Sequence, residues 1–197
     1  MPTILGAVSL EPIQAVRVSS SQAAFPAMER HSEAATQTFK KVVPLMLDGG
    51  GNMVEWTTAL ANTIYGVNAE PPHNLTVAAT AQDLSEGSPQ NQPSGITTPV
   101  GAWPRDGKIE VYQANGQTVF SISLKSGQTF VSTDIQAGTI YGLDKDATTG
   151  FWFMDKTITA GNKAVLVLLG LDSSSPNDGV NGSRVFVQFA STRRYFV

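Results

Sequence analysis

Short apolar runs divided by glycine-containing turns constrain this fold more than any other feature of the chain. Phe120, Ile122 and Leu124 alternate with polar neighbours, which is the period of a strand with one buried face. Turn signals such as Asn115-Gly116 separate one run from the next. The pattern predicts an antiparallel sandwich or barrel. The predicted strands are KIEVYQA, TVFSISL, TFVS, FWFMD, KAVLVLLGL and SRVFVQFA.

Two of the apolar segments carry additional information about position in a sheet. AVLVLLGL is apolar on both faces, which predicts a central strand. FKKVVPLMLDGGGNMVEW places two apolar runs around an Asp-Gly-Gly-Gly-Asn cluster and predicts a β-hairpin. Pro44 lacks an N–H donor, so its strand is expected at an edge or a bulge. TIYGVNAEP is the next predicted strand, and the spacing of Trp56, Leu60 and Ile64 leaves a short helix open between Glu55 and Asn62.

The N-terminal part of the chain differs in amino-acid composition from the rest. It is small and polar, with sparse hydrophobic residues and a short alternation around Val16 and Val18. This predicts an all-β fold in which an extended N-terminal arm precedes a small antiparallel β-barrel or sandwich body of jelly-roll type. The predicted divisions are an arm at 1–38, a β-barrel or hairpin subdomain at 39–82, a Pro/Ser/Gln-rich linker or loop at 83–105 and a sandwich at 106–197.

Composition narrows the classes of function. The chain has no cysteine, which excludes disulfides, thiolate metal cages and a cysteine nucleophile. Charged residues make up 15% of the chain, with 13 Lys and Arg against 16 Asp and Glu, so we expect no nucleic-acid partner. The first residues contain no basic residue before Arg17 and no long apolar run, which predicts neither a signal peptide nor a membrane partner.

No catalytic or metal-binding pattern stands out in the sequence. His31 and His73 each lack a second ligand at zinc spacing. Asp144 and Asp146 have the alternate spacing of a calcium loop, but a polar hairpin turn is the favoured interpretation because the later bidentate glutamate is missing. A glycosidase needs two carboxylates that face each other across a cleft. Nothing in the sequence places Glu55 and Glu110, both on predicted strands, together in this way. We therefore predict no catalytic residue, no metal and no cofactor.

Aromatic residues provide the main alternative to a purely structural role. A carbohydrate- or receptor-binding β module of a phage tail or fibre would stack sugars on exposed rings among Trp56, Trp103 and Trp152. Trp103 lies in the predicted loop and is the best of these candidates. Two of the rings in Phe151-Trp152-Phe153 are expected to fill the core.

The segment from Phe39 to Leu75 resembles small head proteins of tailed bacteriophages that act as capsid cement or decoration proteins. The resemblance is carried by the turn at Pro44 to Gly49 and by the "Ile-x-Gly-Val-x-Ala-Glu" strand at Ile64 to Glu70. Where the family pattern has glycine after a basic residue, this chain has Lys41-Val42. The C-terminal half, up to Phe189, is also similar to the closing half of such proteins.

The resemblance implies a non-enzymatic virion protein on the capsid exterior, made in the host cytoplasm. Its partners would be the major capsid protein and further copies of itself, most simply as a homotrimer, since closing a ring covers strand edges symmetrically. The side chains expected to be buried on the partner are Val16, Val18 and Phe25, with Trp103 as a further contact.

Overall fold

The computed structural model describes residues 13–18, 26–58, 63–73, 108–174, 177 and 183–195, with Arg17 and Val18 described by their main chain alone. Within these ranges the regular structure consists of strands and two short 3₁₀ turns, so the all-β prediction is confirmed. The strands are β1 (Gln14–Val18), β2 (Met28–Ser32), β3 (Pro44–Leu47), β4 (Met53–Glu55), β5 (Gly66–Asn68), β6 (Lys108–Gln113), β7 (Thr118–Ser123), β8 (Tyr141–Lys145), β9 (Trp152–Asp155), β10 (Ala164–Leu171) and β11 (Arg184–Phe189).

The strands form two antiparallel sheets. The six-stranded sheet has the order β1-β7-β11-β10-β8-β9, and the five-stranded sheet has the order β2-β6-β5-β3-β4. Neither closes into a barrel. One hydrophobic core takes side chains from both sheets, so the arrangement is sandwich-like. Its largest fully buried side chains include Trp56, Phe120 and Phe189.

The predicted central strand is confirmed. The run AVLVLLGL forms β10, which lies between β11 and β8 in the interior of the six-stranded sheet. Val165 and Leu166, at consecutive positions, are both fully buried. A strand covered on both faces needs apolar residues at consecutive positions, which is the pattern that the sequence shows.

The N-terminal segment differs from the expected arm where the structure describes it. β1 pairs with β7 in one sheet, and β2 pairs with β6 in the other. Ile13, immediately before β1, is only 1% exposed and belongs to the core. The backbone pairing and this single anchor fix a segment whose hydrophobic residues looked too sparse for a sheet.

The sheets also do not follow the division of the chain at 83–105. β6 begins the region predicted as a separate sandwich, yet it pairs with β2 and β5 of the five-stranded sheet. β7, which follows β6 after a short connection, pairs with β1 and β11 of the other sheet. The chain therefore changes sheets between β6 and β7, and both sheets combine strands from distant parts of the sequence. Residues 83–105 themselves lie outside the described residues.

The predicted hairpin around the glycine cluster is confirmed. β3 and β4 pair in register from Leu45 opposite Glu55 to Leu47 opposite Met53. The carboxylate of Asp48 accepts hydrogen bonds from the backbone N–H groups of Gly50 and Asn52, each at 2.8 Å. Such an Asx-type turn explains why aspartate precedes the glycines.

Pro44 does not mark an edge or a bulge, so this expectation was wrong. It is the first residue of β3, which lies between β5 and β4 inside the five-stranded sheet. A first position tolerates proline because its missing N–H falls at the start of the ladder. The Pro44 carbonyl still accepts a hydrogen bond from the Trp56 N–H at 2.8 Å.

Two further local predictions were corrected. The run TFVS is not a strand. A 3₁₀ turn at Ser132–Asp134 begins at its last residue, and Lys156 binds both Thr129 O and the Asp134 carboxylate across this bend. The helix left open after Glu55 is absent from the described residues 55–58, where Glu55 ends β4. The remaining positions of that helix, 59–62, lie outside the described residues.

Asp155, at the end of β9, gives the fold a predictable acid sensitivity. Burial raises its pKa, but hydrogen bonds from Lys125, Thr157 and Gln128 outweigh burial and hold the pKa well below the usual 3.8. A carboxyl with a lowered folded-state pKa stabilises the fold above its unfolded-state pKa, and this stabilisation is lost as the pH falls through the lower value. We expect stability to fall below about pH 4.

The Asp155→Asn variant should show a shallower loss of stability in this acidic window than the parent chain, because the group that takes up the proton is gone. Urea titrations at several pH values between neutrality and strong acid measure the slope. An identical slope in both proteins would show that other carboxyls control the acid transition.

Candidate interaction surface

Two of the four sheet edges are covered by neighbouring segments of the same chain. At β9, the Lys125 N–H donates to Met154 O at 2.8 Å, next to an isolated bridge between Leu124 and Met154. At β4, the Ala34 N–H donates to Met53 O at 3.1 Å, next to a bridge between Glu33 and Met53. These contacts satisfy backbone groups that an open edge would leave to another chain.

The other two edges belong to the N-terminal strands. β1 ends the six-stranded sheet and β2 ends the five-stranded sheet, and no other strand among the described residues pairs with their outer sides. Val16 on β1 is 39% exposed and Met28 on β2 is 50% exposed. We call β1, β2 and the cavity beside them the N-terminal edge surface.

The two edge strands pair with neighbouring parts of the chain, since β6 and β7 are joined by a short connection. Val18 pairs with Thr118 at the start of β7, and Met28 pairs with Tyr112 near the end of β6. Only the short connection at 114–117 separates these partners in the chain. The two edge strands therefore pair with strands that are consecutive in the chain.

A cavity of about 440 Å³ lies at this surface. Tyr112 forms part of its wall and is the direct cross-strand neighbour of the exposed Met28, so the two side chains share a face of the sheet. The described part of its lining is mostly apolar and contains no carboxylate. The lining residues are Ile13, Gln14, Ala15, Lys41, Val42, Ala69 and Tyr112.

The wall formed by Lys41 and Val42 has an unusual backbone. Val42 has φ +59°, a left-handed conformation that is rare for a β-branched residue. The buried side chain of Asn68 maintains it, because its Oδ1 accepts from the Val43 N–H at 2.6 Å and its Nδ2 donates to Lys40 O at 3.0 Å. The position where the resembling pattern has glycine is thus one whose φ favours glycine.

Lys41 places a positive charge at the cavity. Its side chain is exposed and has no ion-pair partner among the described residues, although the whole chain carries a net charge of −3. Among the described lining residues, Lys41 is the one that carries a charge.

Two of the four predicted contact residues lie on β1, within the described residues. Val16 is exposed on β1, and Val18 lies at the end of the same strand. Phe25 and Trp103 lie outside the described residues. Sequence reasoning missed Met28 and Lys41, although the alternation in MERHS was a weak signal for the strand that carries Met28.

The two histidines occupy separate structural positions. Glu33 is fully buried, and its carboxylate accepts from the His73 backbone N–H and lies 2.8 Å from His73 Nδ1. His31 packs edge-to-face on the Tyr65 ring. No group of three or more potential metal ligands occurs within the described parts of the chain.

The carboxylates considered from the sequence are engaged in turns and ion pairs. Asp146 accepts from the backbone N–H groups of Thr149 and Thr148, and these bonds lower its pKa against the opposing effect of desolvation. Asp144 pairs instead with Lys163 at 2.7 Å. The favoured interpretation, a polar hairpin turn, is confirmed, since these residues connect β8 and β9.

Glu55 and Glu110 likewise have different partners. The Glu55 carboxylate pairs with Lys145 at 2.7 Å and accepts from Trp152 Nε1 at 2.9 Å, which joins the two sheets. Glu110 lies on β6, where its backbone N–H donates to the Glu70 carboxylate. They lie on strands separated by two others in the sheet order, β5 and β3.

Two of the three tryptophans are buried and cannot stack on a sugar ring. Trp56 and Trp152 are 2% and 4% exposed, and their rings pack against each other at 5.3 Å in the core. In the Phe151-Trp152-Phe153 triplet, Trp152 and Phe153 are the buried pair, while Lys40 lies over the Phe151 ring at 4.5 Å. A sugar-binding role through tryptophan now depends on Trp103 alone.

In comparisons with protein-family models, curated proteins and solved structures, nothing matches the chain. Within the part of the chain that the structure describes, no helix has the length and apolar character needed to cross a membrane. The fold defines the class as a two-sheet antiparallel β protein, in which β1 and β2 are the first strands of the two sheet orders. Any more specific role has to be argued from that surface.

Proposed function

We propose that this chain is a non-enzymatic structural protein that binds the outer surface of a tailed-phage capsid and reinforces contacts between major capsid protein subunits. The observation that carries the proposal is the asymmetry of the sheet edges. Contacts within the chain cover β4 and β9, whereas β1 and β2 present Val16 and Met28 beside a preformed cavity. An uncovered edge with exposed apolar side chains suits contact with another protein.

The residues that carry the resemblance to capsid cement proteins have roles in the fold. Ile64 and Val67 are fully buried, and Gly66 lies where β5 comes closest to β6. The Glu70 carboxylate accepts from the Glu110 N–H at 2.9 Å and ties the end of this segment to β6. A pattern that specifies a β body, with no catalytic group in it, fits a protein whose function is contact.

The proposed assembly on the shell is a homotrimer. Capsid lattices offer three-fold and quasi-three-fold positions, where one contact repeated three times gives strong retention from weak individual interfaces. With charged residues at only 15% of the chain, those contacts are mostly apolar and hydrogen-bonded, so retention should depend little on salt.

The copy number in particles tests the proposal. Quantitative mass spectrometry of virions from the phage that encodes this chain should find it in hundreds of copies, in proportion to the major capsid protein. A handful of copies would indicate a tail or fibre component instead. Particles depleted of the protein should release their DNA at a lower temperature than complete particles, and equal heat resistance would refute the cement role.

A further inference from the structure

We propose that Arg194 is an anion-binding residue, whose two terminal guanidinium nitrogens bind the carboxylate of an aspartate or glutamate side chain of a partner protein. Arg194 directly follows the 3₁₀ turn at Ser191–Arg193, and its side chain lies against Gly116 in the connection between β6 and β7. The binding chemistry is independent of the proposed function. Only the identity of the partner as a capsid subunit rests on that function.

The guanidinium of Arg194 has no acceptor within the part of the chain that the structure describes. Its Nε is buried without a hydrogen-bond partner. Arg194 also forms none of the ion pairs of the described residues, in which four lysines are paired with carboxylates. Charged groups that are partly removed from water usually have a counterion, because their desolvation is otherwise uncompensated. An anion bound to Arg194 would offset that cost.

The two terminal nitrogens are the atoms that an anion can reach. Nε is the one guanidinium atom of Arg194 that is both buried and unpaired, so Nη1 and Nη2, which have no described partner either, retain access to solvent. Their parallel N–H bonds match the two oxygens of a carboxylate. Lys41 differs, because it is exposed and water can solvate its whole ammonium group. The half-buried Arg194 lacks that full solvation.

The main chain around Arg194 is fixed without an anion. The Ile64 N–H donates to Arg193 O at 2.8 Å, and Ile64 O accepts from the Tyr195 N–H at 2.9 Å. Ile64 is itself fully buried in the core. These bonds place Arg194 in a parallel bridge with a core residue. Because the backbone is already ordered, binding of an anion costs little conformational entropy there.

Gly116 allows the guanidinium to lie against the connection between β6 and β7. A Cβ at this position would come within 2.8 Å of Nη1 and 3.2 Å of Nη2 of Arg194. The φ of Gly116 is outside the left-handed region, so the backbone itself does not require glycine there. Gln188 Nε2 donates to Gly116 O at 3.0 Å and holds this part of the connection. The position of the guanidinium therefore accounts for the glycine.

The single positive charge determines the class of anion. Arg193, the neighbouring cation, is directed to another acceptor, since its Nη2 donates to Gly161 O at 3.3 Å. One carboxylate balances one guanidinium, whereas a phosphate carries about 1.5 to 2 negative charges at neutral pH. The net charge of −3 opposes this larger charge more strongly. A carboxylate is therefore favoured over a phosphate.

Sodium acetate is the probe for the chemistry of the site. The full chain is titrated with acetate at constant ionic strength, with sodium chloride and sodium phosphate as reference salts. The buried Nε–H of Arg194 is shielded from exchange with water, so its NMR signal can follow binding. We expect this signal to shift and saturate in acetate, to stay unchanged in chloride and to respond more weakly to phosphate. An equal response to all three salts, or a stronger response to phosphate, would overturn the proposal.

Gly116→Ala separates the position of the guanidinium from its charge. The new methyl group would displace Nη1 while Arg194 and the net charge stay the same, so acetate binding should weaken about tenfold. The matched control is Gly170→Ala in β10, where no atom lies within 4 Å of the new Cβ. That control should bind acetate like the parent chain. Unchanged binding in Gly116→Ala would contradict the site.

Retention on particles of the phage that encodes this chain identifies the source of the carboxylate. Arg194→Gln and Arg193→Gln remove the same charge at neighbouring positions. Arg194→Gln should lower the affinity for particles about tenfold, as the loss of one partner of a charge pair gives, and Arg193→Gln should leave it unchanged. An equal loss in the two variants would attribute binding to net charge and refute the role of Arg194 in the contact.

Failure of this inference and failure of the proposed function give different results. If particles contain hundreds of copies but Arg194→Gln is retained as well as the parent chain, the capsid role stands and the contact through Arg194 is refuted. If acetate binds with the expected preference but particles lack the protein, the anion site stands and its carboxylate does not come from a capsid subunit.

Discussion

The Gly66→Ala variant is expected to lose at least about 3 kcal/mol of unfolding free energy. A Cβ at this position would overlap the carbonyl oxygen of Tyr112 and come within 2.5 Å of Val111 Cγ1. Tyr112 O belongs to the β6 backbone, so no rotamer change can relieve the clash. The two strands would have to separate, and β6 is the strand that supports β2 at the N-terminal edge surface.

Chemical denaturation gives the unfolding free energy, and a thermal melt should show a midpoint lowered by about 6 to 12 °C for a chain of this length. The matched control is Gly170→Ala in β10, where no atom lies within 4 Å of the new Cβ and φ is outside the left-handed region. That control should leave stability unchanged or raise it by up to about 1 kcal/mol. Equal stability of the two variants would contradict the close approach of β5 and β6.

The Asn68→Asp variant is expected to lose about 3 kcal/mol, although the two side chains have nearly the same shape. Asn68 is fully buried, and its Nδ2 donates to Lys40 O at 3.0 Å and to Glu70 O at 2.6 Å. A carboxylate in this position turns both contacts from attraction to repulsion and buries an unpaired charge. Because Asn68 also holds the backbone on both sides of Val42, the cavity wall should loosen as well.

A second asparagine provides the control for this substitution. Asn115 Oδ1 accepts from the backbone N–H groups of Gln117 and Thr118, while its Nδ2 makes only a 3.5 Å contact with Gln113. Asn115→Asp retains the acceptor and should change stability by less than about 1 kcal/mol. Denaturant titrations of both variants in one buffer make the comparison. A similar loss in both would mean that the added charge, and not the missing donors, is responsible.

The sequence predicted those elements whose signal is local. Asp48 and the glycines after it fix the β3–β4 turn through contacts within five consecutive residues, so the hairpin could be recognised from the sequence. β10 could be recognised because burial on both faces requires consecutive apolar residues. The run TFVS was misassigned, since the bend there is held by Lys156, a distant residue.

The candidate surface was only partly predictable for the same reason. Val16 was identified from a short alternation, but nothing near Lys41 in the sequence showed that it lines a cavity with Tyr112. That contact depends on β6, which follows Lys41 by a long stretch of chain. The left-handed backbone of Val42 depends on the distant side chain of Asn68.

The sequence by itself determined that this protein is all-β, because alternation, turn residues and double-faced apolar runs act over a few neighbouring residues. Only the tertiary structure decided which strands are edges, since an edge is defined by the partner that a strand lacks. It joined β4 to the residues that follow β2 and β9 to those that follow β7, and it placed β1 and β2 first in the orders of the two sheets. Pairing between distant segments carries no local signature, and the surface proposed to bind the partner is a product of that pairing.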